Sequence, residues 1–516
     1  MAEKNNQGWS ILWKTEDWLA VWLGFLIILL MLIFLPAGYK ITLPGFKWTT
    51  GGEFASLTSK SLPAIEALAK TAGEKGEANL QKALTGLKEA IAGKDRKAIG
   101  DAAKKVNDSL KDVKDAGLKK KAGDVAKTIQ GNAGNLIGKV FSGNNLLWSI
   151  YLLIGYLIIA SIGIVLMGEN VGKFLIGFPV VFIIAWLSLF LAGNFTINEY
   201  GLEYVLWCLC VGLLISNVLG VPEWLKPAVR TEYYIKTGLV ILGSGILFGE
   251  IVQAGIYGIV QAFLVITVIW YFCFWLASKK FGIDEDFAAL LSSAVSICGV
   301  SAAIATSGAI KGDPKKLSYV TSLVLICAVP MMVLQPLISK AVGIPEMVAG
   351  AWLGGTLDTS GSVVAAGALI SELAMKIGVI VKMSQNVFIG IAAFVLAIWW
   401  TYKECAPGAE KPGAIEIWHR FPKFVLGFMI ASLVFSFLLP APTISAVKGT
   451  LGGLRTWWFA LAFTCIGLET RFTDLAKLGG GKPVLAFLIA QGVNIIWTLI
   501  LAYLIFGGIL FPGPKM

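Results

Sequence analysis

Apolar residues run in blocks of about 20 along most of this chain, the length that crosses roughly 30 Å of hydrocarbon as one helix. Thirteen spans are predicted, at about 17–36, 146–168, 173–193, 201–219, 236–250, 256–279, 286–310, 317–342, 346–370, 378–402, 423–440, 453–470 and 483–510. The first run, WLAVWLGFLIILLMLIFLP, is too long and too Trp-rich for a cleavable signal and is read as a retained span. The pattern predicts an all-α polytopic membrane protein.

Residues 37–145 break the rhythm. Here apolar residues recur at helical spacing, as in Leu80, Leu84, Leu87, Ile91 and again Ala98, Ala102, Val106, Leu110, Val113, with Gly93, Gly100, Gly117 and Gly123 as punctuation. The segment is expected to be a small amphipathic helical bundle or hairpin on the outside face, either a cap or partner-binding module or an inert decoration. It divides the chain into 1–36, 37–145 and a long, mostly apolar part, 146–516.

Within that last part a weak repeat appears. VILGSGILFGEIVQAG (240–255) aligns with TCIGLETRFTDLAKLG (464–479), pairing Gly243 with Gly467, Phe248 with Phe472, Glu250 with Asp474 and Gly255 with Gly479. VGLLISNVLGVPEWL upstream of the first corresponds to LGFMIASLVFSFLLP upstream of the second. The copies, about 200–279 and 423–510, lie an odd number of spans apart, so they run antiparallel, as in the inverted repeats of secondary transporters.

Two spans carry the least apolar text. LLSSAVSICGVSAAIATSGAI, in span 286–310, aligns with LGGTLDTSGSVVAAGALI, in span 346–370. Small residues and hydroxyls also suit close helix packing, but two such spans point to discontinuous helices whose unwound peptides hold a polar ligand near the midplane. Counted as spans, the two run parallel, which an inverted repeat forbids. The candidate binding residues are Ser296, Cys298, Gly299 and Ser301 in the first and Thr356, Asp358, Thr359, Ser360, Gly361 and Ser362 in the second. Lys382 and Gln385 in the next span join them. Asp358 and Lys382 are ionisable at membrane depth, the usual mark of function there. They either pair, or Lys382 attracts an anion while Asp358 handles a proton or sodium ion. Glu250, Glu469 and Asp474 lie at span ends, where exposure costs little.

Composition narrows the rest. The chain is 56% hydrophobic and 15% charged, with net charge +11, much of it in the 37–145 insert; the remainder is the loop bias that orients membrane proteins, not a nucleic-acid signal. Lys4, Lys14, Lys173, Lys226, Arg230, Lys279 and Lys280 collect on one face, Lys311, Lys315, Lys316, Lys376, Lys448 and Arg455 on the other, which predicts a cytoplasmic N-terminus. The only histidine, His419, sits in a basic loop, which removes a His-based metal site and a Ser-His-Asp hydrolase. Cys208, Cys210, Cys273, Cys298, Cys327, Cys405 and Cys465 form no CxxC pair. No phosphate-binding GxxxxGK[ST] loop is present, so transport would run on gradients and no enzyme activity is expected.

SSAVSICGVSAAIATSGAIKGDPKKLSYV, GTLDTSGSVVAAG, IVKMSQN and FALAFTCIGLETRFTDLAKLG, within roughly 200–510, resemble the YeiH-type sulfate exporter family. That family is similar to the bile-acid:sodium symporter and cation/proton antiporter superfamily. The resemblance implies inverted repeats, two crossed discontinuous core helices, elevator-like alternating access and a homodimer in a bacterial inner membrane. Members commonly carry His before the acidic residue and Arg three residues after the lysine; here those places hold Leu357 and Gln385, which weakens a divalent-anion site. Two functions remain open: a small-anion transporter, sulfate- or sulfonate-like, coupled to H⁺ or Na⁺ through Asp358, and a cation/proton antiporter built on Asp358. A receptor or scaffold displaying the insert is a third. No cofactor is expected beyond the coupling ion; the partners are the small anion and the lipid bilayer.

Overall fold

A computed structural model describes residues 11–39, 41–200, 202–404, 418, 421–471, 473 and 481–512. His419, Cys405, Lys4 and the repeat positions Phe472, Asp474 and Gly479 lie outside the described residues. Regular structure among the described residues is helical, apart from one isolated bridge between Trp48 and Asn194. The chain forms two compact units, one of residues 42–154 and 186–207, the other of the remaining described chain.

After the first apolar helix, α1 (Glu16–Phe34), the smaller unit is a ring of four helices: α2 (Gly51–Glu74), α3 (Ala78–Ala92), α4 (Arg96–Ser109) and α5 (Ala116–Gly134). Phe54, Ile65, Leu80, Leu84, Leu87, Ile91, Val106, Leu118 and Ile129 fill its centre. In α4 the buried stripe starts at Ile99 and continues through Ala103 and Val106, leaving Ala98 exposed, because the larger Ile99 claims the core. Asp95 and Asp115 cap α4 and α5 by accepting from Ala98 N (2.8 Å) and Leu118 N (2.7 Å). The Arg96 guanidinium donates to the carbonyls of Thr49, Asn132, Ala133 and Asn135, tying the bundle's first and last segments together. The unit extends past the 37–145 insert because Trp48 stacks on Phe190 at 5.2 Å and Trp186 Nε1 donates to Ser149 Oγ at 3.0 Å.

Glu53 closes a capping box at the start of α2, accepting from Thr50 N at 2.7 Å and from Asn194 Nδ2 at 3.1 Å. Partial burial raises its pKa, but hydrogen bonds from Thr196, Thr50 and Asn194 outweigh it and bring the carboxyl down to about 2. Since the folded value lies below the unfolded 4.5, this stabilisation is complete above that pH and is lost as pH falls toward 2. Glu53→Gln is expected to cost the bundle about 1 kcal/mol at pH 7 and to flatten its acid-side melting profile. Unchanged acid sensitivity in thermal melts would remove this role.

The larger unit holds most of the apolar helices. Helices α6 (Gly143–Leu166) and α7 (Val171–Ala192) are divided between the units, and α8 (Tyr204–Leu214) runs on as a π turn to Leu219. Next come α9 (Thr231–Gly243) and α10 (Phe248–Trp275). The spans expected at 236–250 and 256–279 are out of phase with these. Glu250 lies in the first turn of α10 and accepts from Leu247 N at 3.2 Å, while a Cβ on Gly243 would fall 2.3 Å from Phe428 O. Capping and that close contact end α9 early. Then follow α11 (Glu285–Ser296), α12 (Gly299–Ile310), α13 (Pro314–Val342), α14 (Glu346–Thr356), α15 (Ser360–Ile370), α16 (Glu372–Glu404), α17 (Lys423–Leu433), α18 (Ala441–Glu469) and α19 (Lys482–Phe506). Among the described residues eight helices are long and apolar enough to cross a membrane, and four shorter apolar ones accompany them. Helices α1, α9, α17 and α18 pack as one group, where Lys236 in α9 meets Glu16 at 2.8 Å and Asp17 at 2.7 Å. Helices α10 to α16 with α19 form the other.

Candidate functional site: two opposed hairpin tips

The segments 286–310 and 346–370 do not cross; each folds back on itself. In the first, Thr306 Oγ1 lies 2.8 Å from Ser293 Oγ although 13 residues separate them. Ala289 and Ile310, at the outer ends of the two arms, share a cluster with Leu396 and Trp400. Ile297 and Cys298, at the tip, meet Ile389 and Ala393. Along α16, then, α11 runs antiparallel and α12 parallel. The second hairpin has the opposite sense. Cβ atoms added at Gly350 and Gly354 would fall 2.5 Å from the carbonyl oxygens of Ala374 and Gly378, and one at Gly367 2.5 Å from Met375 Cα. So α14 runs parallel to α16, and α15 returns. Arms of 12 and 11 residues are about 16–18 Å long, half of a roughly 30 Å hydrocarbon layer.

The hairpins therefore approach α16 from opposite ends and meet halfway. Gly299 N donates to Asp358 O at 2.7 Å, tip to tip. The parity conflict of the sequence reading disappears, because neither segment counts as a span. Lys311, Lys315 and Lys316 fall on the same side as Lys279 and Lys280, with Lys316 Nζ 2.5 Å from Asp284 at the hairpin's entry.

The inbound arms α11 and α14 end at the tips with orphan carbonyls, the negative ends of their dipoles. Side chains on neighbouring helices satisfy them. Lys382 Nζ donates to Ile297 O (2.6 Å) and to Gln385 Oε1 (2.9 Å), and Gln385 Nε2 donates to Ser296 O (2.7 Å). Asn494 Nδ2 reaches Val295 O (3.1 Å) and Gln491 Nε2 reaches Thr356 O (3.0 Å), while Gln261 Nε2 reaches Ala351 O (2.8 Å) farther back within α14. Of the two arrangements open to Asp358 and Lys382, the direct ion pair does not form. Lys382 is spent on a half-helix terminus, and the carboxylate of Asp358, a residue 1% exposed, makes no close hydrogen bond, the Gln491 amide alone donating toward it.

The opening in the second hairpin is narrow: only Leu357, Asp358 and Thr359 leave the helix. Thr359 caps α15, accepting from Ser362 N at 3.1 Å and lying 2.7 Å from Ser362 Oγ. Ser360 Oγ accepts from Asn386 Nδ2 at 3.3 Å, and Thr356 Oγ1 turns back to Trp352 O at 2.5 Å. Ser296 and Cys298 are buried at the first tip, and Cys298 gives α12 no side-chain cap. Ser301 is exposed but stays beside Cys298, whereas Gly361 turns away and faces Ile235 and Ile466 of the other helix group. Sequence alone did not single out Gln261, Gln491, Asn494 and Thr498. For the last three a signal existed, since amides and a hydroxyl at helical spacing along one apolar span mark a polar stripe.

These features define a polytopic membrane protein with two opposed re-entrant hairpins at its core. The chain belongs to the family described as Conserved hypothetical protein 698, which it matches over residues 176–486, a stretch that includes both hairpins and excludes the four-helix bundle. It is 42% identical over 348 residues to a UPF0324 membrane protein of Rhodopirellula baltica, covering 66% of this chain and 64% of that one. A UPF0324 membrane protein of Nitrosomonas europaea is 35% identical over 370 residues, 62% of this chain and 75% of the relative. The UPF0324 inner membrane protein YeiH of Salmonella typhimurium is 28% identical over 318 residues, 60% of this chain and 84% of that protein. The chain thus spans less than two thirds of the Rhodopirellula relative's length. No solved structure matches.

Proposed function

We propose that this protein is a gradient-driven secondary transporter, an exporter of a small sulfate- or sulfonate-like anion, with the two hairpin tips as its binding site. The observation that carries the reading is the junction itself: two broken helices meet through Gly299 and Asp358, beside a buried carboxylate with no ion-pair partner and no close hydrogen bond. Broken helices at mid-membrane are the recurring device for binding a substrate and its coupling ion together. The anion is assigned to the start of α12, where first-turn N–H groups lack a side-chain cap. Asp358 is assigned the coupling H⁺ or Na⁺. Alternating access is elevator-like: the hairpin group slides against the group of α1, α9, α17 and α18, along the face where Gly361 meets Ile235 and Ile466.

The protein works as a homodimer in the bacterial inner membrane. The lysines gathered beside the first hairpin's entry support a cytoplasmic placement of that side and of the N-terminus. The isolation of Asp358 also favours a second reading, cation/proton exchange. Proteoliposomes separate the two. Labelled sulfate or a sulfonate accumulating under an imposed pH or Na⁺ gradient supports anion transport, and Na⁺-driven pH change without anion movement overturns it.

A further inference from the structure

Away from the hairpins, the smaller unit holds a cavity of about 600 Å³. Three stretches of chain enclose it: Lys47 and Trp48 ahead of α2, the second half of α5, and the segment from Leu189 to Tyr204. Backbone contacts tie these walls together. Trp48 N donates to Gly193 O and Phe195 N to Trp48 O, both at 2.9 Å, and Thr49 N donates to Asn135 O at 2.8 Å. Trp48 Nε1 reaches Phe190 O at 2.8 Å, and a Cβ on Gly193 would fall 1.9 Å from Phe46 O. A cavity braced in this way is pre-formed, and its volume is that of an organic ligand rather than of one small ion.

The lining is amphipathic. Lys47 and Lys127 supply two exposed ammonium groups from different walls, and neither joins an ion pair among the described residues. Lys75 and Lys88 of the same bundle are, by contrast, matched by Asp115 at 2.5 Å and Glu66 at 2.8 Å. Glu203 is the one carboxylate in the lining, so the charged groups leave a single net positive charge. That complements a phosphodiester, which carries one negative charge, better than it does a sulfate dianion. Leu189, Ala192 and Phe195 add an apolar surface.

Helix α7 is long and apolar enough to cross a membrane, and Leu189 and Ala192 lie in its last turn, where the chain leaves the hydrocarbon. Trp48 and Tyr204 line the cavity at the same level, the depth at which such amphipathic rings gather. A dissolved oxyanion would meet the lysines and leave the apolar surface wet. A phospholipid uses both.

We infer that this cavity binds the phosphodiester headgroup of a membrane phospholipid, with Lys47 and Lys127 on the phosphate and Leu189, Ala192 and Phe195 against the glycerol and the first acyl carbons. The inference does not depend on which substrate is carried. A lipid held there joins α5 to the stretch ahead of α2 and to the end of α7, and so braces the base of the four-helix bundle.

The test titrates the purified full chain, in a neutral maltoside detergent, with short-chain phosphatidylglycerol. Diacylglycerol of the same chain length, which lacks the phosphate, and inorganic phosphate or sulfate are the comparison probes. Native mass spectrometry counts bound lipid, and melting curves are recorded in parallel. Saturable binding of phosphatidylglycerol is expected, with a melting temperature that rises with it and not with diacylglycerol. Lys47→Ala combined with Lys127→Ala weakens binding by about 30-fold. Lys60→Ala combined with Lys105→Ala, two exposed lysines of the bundle outside the cavity, leaves it unchanged. Equal losses in the two double variants would reduce the effect to overall charge and overturn the site. Wild-type affinity in the Lys47/Lys127 variant, or diacylglycerol binding as tightly as phosphatidylglycerol, has the same consequence. Displacement of the lipid by inorganic phosphate or sulfate at equal concentration makes the cavity a site for dissolved oxyanions and overturns the lipid assignment.

Discussion

Replacement of Asp358 by asparagine is expected to lower gradient-driven uptake by on the order of 100-fold, near the top of the usual range of coupling free energies, while leaving the protein at least as thermally stable as wild type. The two halves of this outcome have one cause. A buried carboxylate without a close hydrogen bond is costly to the fold. Asparagine keeps the shape and removes the charge, so the fold gains while the coupling group is lost. A residue retained for packing would behave in the opposite way, with lower stability and intact uptake, and that pattern would dismiss Asp358 from the mechanism. The measurement pairs a proteoliposome flux with a melting curve on the same preparation. Because Gly299 N donates to the backbone oxygen of Asp358, and not to its side chain, the tip-to-tip contact survives the substitution.

The second large effect concerns the contact that holds the second hairpin in place. A Cβ on Gly354 would stand 2.5 Å from Gly378 O and 2.9 Å from Val381 Cβ, and one on Gly350 2.5 Å from Ala374 O. Helices in lipid gain little from apolar burial against each other, so small residues that allow close backbone approach carry much of the packing. Gly354→Val must push α14 off α16. The expected cost is about 3 kcal/mol or more, seen as a loss of the monodisperse peak in size-exclusion chromatography or as a large fall in melting temperature. Gly449→Val in α18, where nothing lies within 4 Å of the added carbon, is the matched control and should elute as wild type. Equal behaviour of the two variants would contradict the packing of α14 on α16.

Much of the candidate site was legible before the fold was known. The two Ser- and Gly-rich stretches stand out from apolar surroundings, and Asp358 and Lys382 stand out within or beside them. What was illegible is the use each charge is put to. Sequence proximity and opposite sign suggested an ion pair. Yet the ammonium is drawn to Ile297 O, because two inbound half-helices terminate in the hydrocarbon layer and their carbonyls have no water to turn to. Gln491 and Asn494 were overlooked because three spaced polar residues in a long apolar span are weak text beside the two Ser- and Gly-rich stretches. Their value comes from lying against Thr356 and Val295, contacts that join residues more than a hundred positions apart.

The sequence alone determined the membrane character, the helical class and the places where the chain turns polar inside the bilayer, because hydropathy and helical period are one-dimensional and can be read along the chain. The tertiary structure alone decided that 286–310 and 346–370 reverse rather than cross. Two short arms folded together have the same length and composition as one straight span, and only the meeting of Thr306 with Ser293, and of Gly350 and Gly367 with the start of α16, tells them apart. From that reversal follow the opposed entry of the hairpins, the side on which Lys311, Lys315 and Lys316 emerge, and the isolation of Asp358 where the tips meet.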